Sequence, residues 1–254
     1  MTLDDIFGLK GRTALVTGST RGIGAAIAEG LCVAGARVAI HGTRADQAEI
    51  CAKRLRGAGH KAEALASDLS VPGAGEALID AAEAAIGPLD ILVINASAQI
   101  NATLADLTPQ DLDFQIAVNL RSTAGMLQAC LPRMAARRWG RVVNIGSINQ
   151  IAPKPVVTAY AATKAAQHNL IQSQARDYAR TGVVLNTLAP GLIDTDRNAD
   201  RKTGDPQAWA AYCDGVNWMG RAGESHEMIG AAIFLASQAC NFMTGETIVL
   251  SGGG

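Results

Sequence analysis

The stretch "ALVTGSTRGIGAAIAEGL", residues 14–31, decides the fold. An apolar run ending at Thr17 leads into a turn carrying Gly18, Gly22 and Gly24, and an alanine-rich run follows. That order predicts strand, tight turn and helix. Glycine permits such a turn and lets the backbone approach a diphosphate, whose charge then sits at the amino end of the helix. The spacing is G-x-x-x-G-x-G rather than G-x-G-x-x-G. Turns of this kind also occur in α/β proteins that bind no nucleotide, so the place after the first strand is what favours a nucleotide site.

Outward from this unit the same alternation continues. Strands are predicted at 12–17, 36–41, 61–66, 89–94, 140–146, 182–188 and 246–251, with helical patterns between them, several stopping at glycine. Strands apolar on both faces and alternating with helices predict a parallel sheet covered on both sides. Two helices read as long: one beginning at Thr108-Pro109 and running to about Arg138, and one from Tyr160 to about Arg180. Residues 194–217 are polar and weakly patterned after Pro190-Gly191, which predicts a mobile substrate lid on a single domain spanning 1–254.

The chain has 254 residues, 48% of them hydrophobic and 18% charged, which suits one large, well-buried α/β domain. A formal net charge of −1 gives no electrostatic reason to expect nucleic acid or an anionic membrane as partner. Five scattered cysteines (Cys32, Cys51, Cys130, Cys213, Cys240) without C-x-x-C, and four unclustered histidines, predict neither disulfides nor a metal site. With no signal-peptide pattern and no long apolar run, the expectation is a cytoplasmic protein.

The end of the second strand bears on the nucleotide. An acidic residue there would bind a free ribose 2′-hydroxyl. The sequence instead reads "AIHGTRAD", placing Thr43 and Arg44 where that carboxylate would stand, and Arg21 lies in the glycine turn. Two guanidiniums and a hydroxyl suit a 2′-phosphate, so NADP(H) is favoured over NAD(H). Both arginines also have an ordinary reading as solvated loop residues. Asp68, in "ASDLS", is either a partner for an adenine amino group or a turn aspartate.

Read in order, "TGSTRGIG" (17–24), "NAS" (95–97), Asn119, "NIGS" (144–147), "YAATK" (160–164) and "APG" (189–191) resemble the short-chain dehydrogenase/reductase family across essentially the whole chain. The segments "NTLAPGLIDTD" and "MGRAGESHEMIGAAIFLAS" also resemble its 3-oxoacyl-carrier-protein reductase branch. The resemblance implies an α/β Rossmann-type doubly wound sheet of seven parallel strands in the order 3-2-1-4-5-6-7. It implies catalytic roles for Asn119, Ser147, Tyr160 and Lys164. It implies cofactor contacts from Gly18, Gly22, Ile23, Gly24, Asp68, Asn95, Lys164 and the segment after Pro190 with Thr195; Thr20, Arg21, Thr43, Arg44, Leu69, Ala96, Ser97, Tyr160, Gly191 and Ile193 complete the expected dinucleotide site. It further implies a homotetramer or dimer assembled through the two long helices. Ser97 departs from the family's usual glycine; if that backbone needs positive φ, serine is strained there.

Tyr160 and Lys164 are four positions apart, on one face of a predicted helix. A carbonyl that accepts hydride needs a proton on oxygen, and a free phenol, with a pKa of about 10, is a reluctant acid. An ammonium at ~4 Å and an effective dielectric of 20 stabilises phenolate by roughly 4 kcal/mol. Tyr160 is thus the expected general acid/base, with Lys164 assisting it and also holding nicotinamide ribose hydroxyls. Ser147 is expected to stabilise the developing oxyanion, and Asn119 to hold a water linking Lys164 to solvent. Gln99, Asn149, Gln150, Trp209 and Trp218 are expected to line the substrate entrance. Taken singly each residue has an ordinary structural reading; the ordered set carries the functional one. The expected activity is NADP(H)-dependent interconversion of a carbonyl and a secondary alcohol on a small molecule. The rivals are an NAD(H)-linked sugar or polyol dehydrogenase and a dinucleotide-sensing regulator without turnover.

Overall fold

A computed structural model describes residues 1–253. Its strands are β1 (Thr13–Val16), β2 (Arg37–Gly42), β3 (Ala62–Ala66), β4 (Ile91–Ile94), β5 (Gly140–Ile145), β6 (Val183–Pro190), the two-residue β7 (Ile193–Asp194) and β8 (Gly223–Glu224), and β9 (Thr247–Leu250). Seven form one parallel sheet in the order β3-β2-β1-β4-β5-β6-β9; β7 and β8 pair only with each other. This is the expected doubly wound order, with β9 as the seventh sheet strand.

The central strands β1, β2, β4, β5 and β6 are buried on both faces, which is why none of them reads as a clean polar/apolar alternation, while the edge strands β3 and β9 are only partly covered. Ala14 and Val16 of β1 point into one core layer with Ile27 and Leu31 of α2 (Gly22–Val33) and Leu235 of α10 (Ile229–Ala236). Leu15, between them, faces the opposite layer with Leu78 and Ile79 of α4 (Ala74–Ile86), Met126 of α6 (Ser122–Ala136) and Ile171 of α7 (Thr158–Tyr178). The period-2 geometry of a strand assigns its alternate residues to two different cores.

The remaining helices are α1 (Leu3–Phe7), α3 (Ala45–Gly57), α5 (Pro109–Ile116), α8 (Ala199–Gly204) and α9 (Pro206–Val216). Thr108 caps α5, its hydroxyl accepting from the Asp111 amide at 3.1 Å with Pro109 in the first turn. The long helix expected from there is divided: α5 and α6 are joined by a π turn at Ala117–Arg121. The stretch 194–217 also differs from expectation, since most of it is helical, in α8, α9 and a 3-10 turn at Asp196–Asn198. Asp205 starts α9 by accepting from the Ala208 amide at 2.9 Å, with Pro206 next. The chain goes from β1 outward through β2 to β3 and returns to β4 on β1's other side, so a crevice opens at the carboxyl ends of β1 and β4.

Candidate active site

The glycine turn sits in that crevice. Gly18 (φ 62°) and Gly22 (φ 55°) both hold positive φ. At Gly24 a Cβ would drive into the Asn95 amide and the Gly18 carbonyl. Asn95 explains the crowding, because its Nδ2 donates to the Thr17 and Gly18 carbonyls, each at 2.9 Å. Thr17 Oγ1 in turn accepts from the amides of Asn95 (2.9 Å) and Ala96 (3.0 Å). The loops after β1 and β4 are therefore laced together, with Ile23 packed on the core and Thr20 lying against Gly42.

Sequence reasoning missed His41. Its Nδ1 accepts from the Gly18 amide at 3.2 Å, and its Nε2 lies 3.0 Å from Ser67 Oγ and 3.2 Å from the Ser67 carbonyl. The ring is neutral with its proton on Nε2, since an imidazolium could not accept from Gly18. Burial pulls it down to about 4, against the opposing pull of the Ser67 carbonyl. The one available signal was a histidine ending an otherwise apolar strand.

Several predicted dinucleotide residues fit such a ligand. Arg21 is the N-cap of α2 and supplies no side-chain cap, leaving the first-turn amides to an anion. Arg21 and Arg44 are exposed, yet each is paired: Arg21 with Asp196 at 3.4 Å and Arg44 with Asp46 at 2.6 and 3.1 Å. Exposed pairs exchange readily for a doubly charged phosphate; Thr43 lies beside Arg44 on the same exposed turn. Asp68 adopts its turn reading, Oδ1 accepting from the Ser70 amide (2.9 Å) and hydroxyl (2.7 Å), while Leu69 is buried. On the far side Pro190 ends β6, Gly191 presses on Ser251, Ile193 is buried in β7, and a Cβ at Gly22 would stand 3.5 Å from Thr195.

The four expected catalytic residues are all buried: Asn119 0%, Lys164 1%, Tyr160 5% and Ser147 7% exposed. Tyr160 and Lys164 share a face of α7, with Nζ 5.9 Å from the phenol ring centre. Lys164 Nζ donates to the Ile145 carbonyl (2.8 Å) and to Gln167 Oε1 (2.9 Å), leaving one of three N–H groups for another partner. Burial pushes the ammonium down to about 7, and the nearby Arg197 adds to the shift.

Asn119 lies in the π turn, and its amide is fully engaged. Nδ2 donates to the Ala98 carbonyl (2.8 Å) and Thr163 Oγ1 (2.9 Å), and Oδ1 accepts from the Ala98 amide (2.8 Å). The side chain thus braces the β4 loop against α7. The link to Lys164 runs through the buried Gln167, whose Nε2 donates to the Asn119 carbonyl (3.1 Å) and Thr123 Oγ1 (2.7 Å). Gln167 was legible as an amide three residues beyond the lysine in an apolar helix, and was passed over.

Ser147 caps the turn at Ile148–Gln150: its Oγ accepts from the Asn149 amide and Nδ2, both at 3.2 Å, and its amide donates to Gln150 Oε1 at 3.2 Å. Ser97 is not strained, because Arg138 is the one described non-glycine residue with positive φ. Its hydroxyl accepts instead from Arg197 Nη2 at 3.3 Å, while Arg197 Nη1 donates to Gln99 Oε1 at 2.9 Å. Trp209 packs on Tyr212, ring centres 6.0 Å apart. Trp218 is not brought to this group: it is 87% exposed and lies against Gly253. Among the described residues no cluster of His, Cys, Asp or Glu could hold a metal, and no helix is long and apolar enough to cross a membrane.

The family profile described as short chain dehydrogenase matches residues 12–206. Gluconate 5-dehydrogenase of Gluconobacter oxydans is 35% identical over 256 residues, covering 100% of this chain and 98% of that protein. A crystal structure of a 3-oxoacyl (acyl-carrier-protein) reductase from Agrobacterium tumefaciens with NADP bound is 67% identical, with a TM-score of 0.98, over 100% of this chain and 98% of that one. A gluconate 5-dehydrogenase from Burkholderia cenocepacia in complex with NADP and tartrate is 38% identical, with a TM-score of 0.92, over 99% and 98%. Motifs, sheet order and these likenesses agree, and the chain belongs to the short-chain dehydrogenase/reductase family of oxidoreductases.

Proposed function

We propose that this chain interconverts a carbonyl and a secondary alcohol with NADP(H), using Tyr160 as the general acid/base. The observation that carries the proposal is the burial of Ser147, Tyr160 and Lys164 together with the placing of Lys164, whose Nζ lies 5.9 Å from the Tyr160 ring centre and donates to the Ile145 carbonyl at the end of β5, two residues before Ser147. NADP in the structures of the Agrobacterium and Burkholderia relatives supports the choice of dinucleotide, as do the exposed Arg21 and Arg44.

Bound NADPH supplies the hydride. In reduction, with hydride of that kind delivered to the carbonyl carbon, the C=O electron pair would move onto oxygen and Tyr160 would give that oxygen its phenol proton, leaving an alcohol and a Tyr160 phenolate. Ser147 donates to the developing oxyanion, which its capped position holds ready without reorganisation. Lys164, in its protonated form, favours phenolate when the proton has left, and its remaining N–H serves a ribose hydroxyl. Gln167 and Asn119 hold Lys164 and the β4 loop in register.

The names of the gluconate-acting relatives favour a sugar-acid substrate; the 67% identical Agrobacterium structure favours a 3-oxoacyl thioester. Residues 194–217 are proposed to close over either one. The proposal extends to a cytoplasmic homotetramer, or dimer, through α5–α6 and α7; the exposed Leu112 and Phe114 on α5 and five free cysteines support it. The test is Tyr160→Phe, followed by NADPH absorbance for turnover and NADPH fluorescence for binding. Turnover should fall about 10²- to 10⁴-fold with the dissociation constant nearly unchanged. Retained turnover removes Tyr160 from its role.

A further inference from the structure

Positive charge gathers around Tyr160 without a counter-ion. The Arg197 guanidinium lies 5.8 Å from the phenol ring centre, and Lys164 Nζ lies 5.9 Å from the same centre. Neither makes an ion pair among the described residues, and the hydrogen bonds of Arg197 go to two neutral acceptors, Gln99 Oε1 and Ser97 Oγ. The acids nearest in sequence are committed elsewhere: Asp196 pairs with Arg21 and Asp194 with Lys202. One helical turn on, Arg201 lies over the Tyr212 ring at 4.2 Å, where Lys154 Nζ also donates to the hydroxyl at 3.1 Å; neither of these cations has a carboxylate partner. Asp200, Asp205 and Asp214 on the same lid pair with none of them. Two cations thus flank the reacting phenol and two more meet at Tyr212, and an oxidised nicotinamide would add to the first pair.

A second, independent feature lies beside Ser147. Asn149 Oδ1 and Gln150 Nε2 are buried without hydrogen-bond partners. One is an acceptor and the other a donor, and native chains rarely leave such groups unmet. A hydroxyl can serve either, since it donates once and accepts twice. Arginine, with five donors in a planar fork of which two are in use, is shaped to take a carboxylate through paired bonds, and a charged acceptor is held about twice as strongly as a neutral one. A 3-oxoacyl thioester brings no charge near its reacting carbon and no hydroxyls, so it answers neither feature.

We infer that the substrate is a small hydroxylated keto acid, its carboxylate held by Arg197 and its hydroxyls by Asn149 and Gln150, in reduction to the hydroxy acid. This rests on the activity proposed above and specifies its substrate class. The experiment measures NADPH-dependent reduction of 5-keto-D-gluconate, the neutral ketohexose L-sorbose and a 3-oxobutyryl thioester by the full-length protein and by Arg197→Gln and Arg197→Lys. The keto acid should be the best of the three by kcat/KM. Arg197→Gln should raise its KM about 10- to 100-fold, the range expected when a hydrogen bond to a charged group is lost. Arg197→Lys, which keeps the charge and loses the fork, should recover part of that. NADPH affinity, read by fluorescence, should move less than about two-fold, which separates a substrate contact from a collapsed lid. The inference is overturned if the ketohexose or thioester is preferred, or if Arg197→Gln leaves the KM for the keto acid unchanged, while Tyr160→Phe still abolishes turnover. If NADPH binds and none of the three carbonyls is reduced, the proposed activity falls and the inference falls with it.

Discussion

Acidification should unfasten the glycine turn through His41. This ring is 1% exposed, takes the Gly18 amide on Nδ1 and faces Ser67 with Nε2. Protonation would turn the acceptor on Gly18 into a donor and place a charge in the core. Its folded-state value of about 4 lies below the ordinary 6.5. Between those values the unfolded chain binds a proton that the native chain refuses, so the stabilising contribution is complete above about pH 6.5 and is lost as pH falls toward 4. Going from pH 7 to pH 5, where most carboxylates remain ionised, the linkage relation gives a loss of about 2 kcal/mol from this one group. The assay is urea unfolding followed by tryptophan fluorescence at both pH values, at matched protein concentration, for the unaltered chain and for His41→Gln. Glutamine can still accept from Gly18 and donate to Ser67 but does not titrate. The unaltered chain should lose about 2 kcal/mol more than the variant over this interval, or roughly 0.7 M in urea midpoint at a slope of about 3 kcal/mol per M. If both proteins lose the same stability within about 0.5 kcal/mol, the ring is not buried neutral and the reasoning is wrong.

Three further outcomes follow from the site. Gln167→Leu removes an acceptor from the Lys164 ammonium, so the alkaline limb of the kcat–pH profile should move down by about one unit; Gln167→Glu should move it up, and an unmoved limb in both would disconnect Gln167 from the lysine. Gly24→Ala should weaken NADPH binding by at least about tenfold and cost about 1–3 kcal/mol of stability, measured by fluorescence titration and urea unfolding, because its methyl meets the Asn95 amide and the Gly18 carbonyl. Asn119→Ala strands the Ala98 amide and carbonyl and takes one donor from the Thr163 hydroxyl, and should cost about 2–4 kcal/mol in the same unfolding assay.

The central sheet strands were legible because buried apolar runs alternating with helical patterns leave little else for those segments to be; β3, with the sequence AEALA and only partial burial, was legible from its place in that alternation. The glycine turn and the Tyr160–Lys164 pair were legible because a local spacing fixes each of them. What escaped the sequence depends on partners far apart in the chain. Asn119 is a helix-face amide until the π turn and the packing of α7 show its contacts with Ala98 and Thr163. Arg21 is a phosphate ligand on paper, but Asp196, 175 residues away, shares it. The helices of 194–217 are short and mostly exposed, so no apolar stripe announces them. Trp218 was expected at the substrate entrance, yet it stands 87% exposed against Gly253, a placing that depends on how the segment after β9 folds back.

The lid's ties to the rest of the molecule have a consequence for engineering. Arg21–Asp196 and Arg197 with Ser97 and Gln99 are exposed side-chain contacts, and no core layer depends on residues 195–212. Ser147, at the turn after β5, and Tyr160 and Lys164, on α7, lie outside that span. A library confined to this segment, with Arg197 kept because it faces Tyr160 and Lys164, would therefore change which molecules are accepted while leaving the buried proton-handling residues in place, so that new preferences can be selected without first repairing the scaffold.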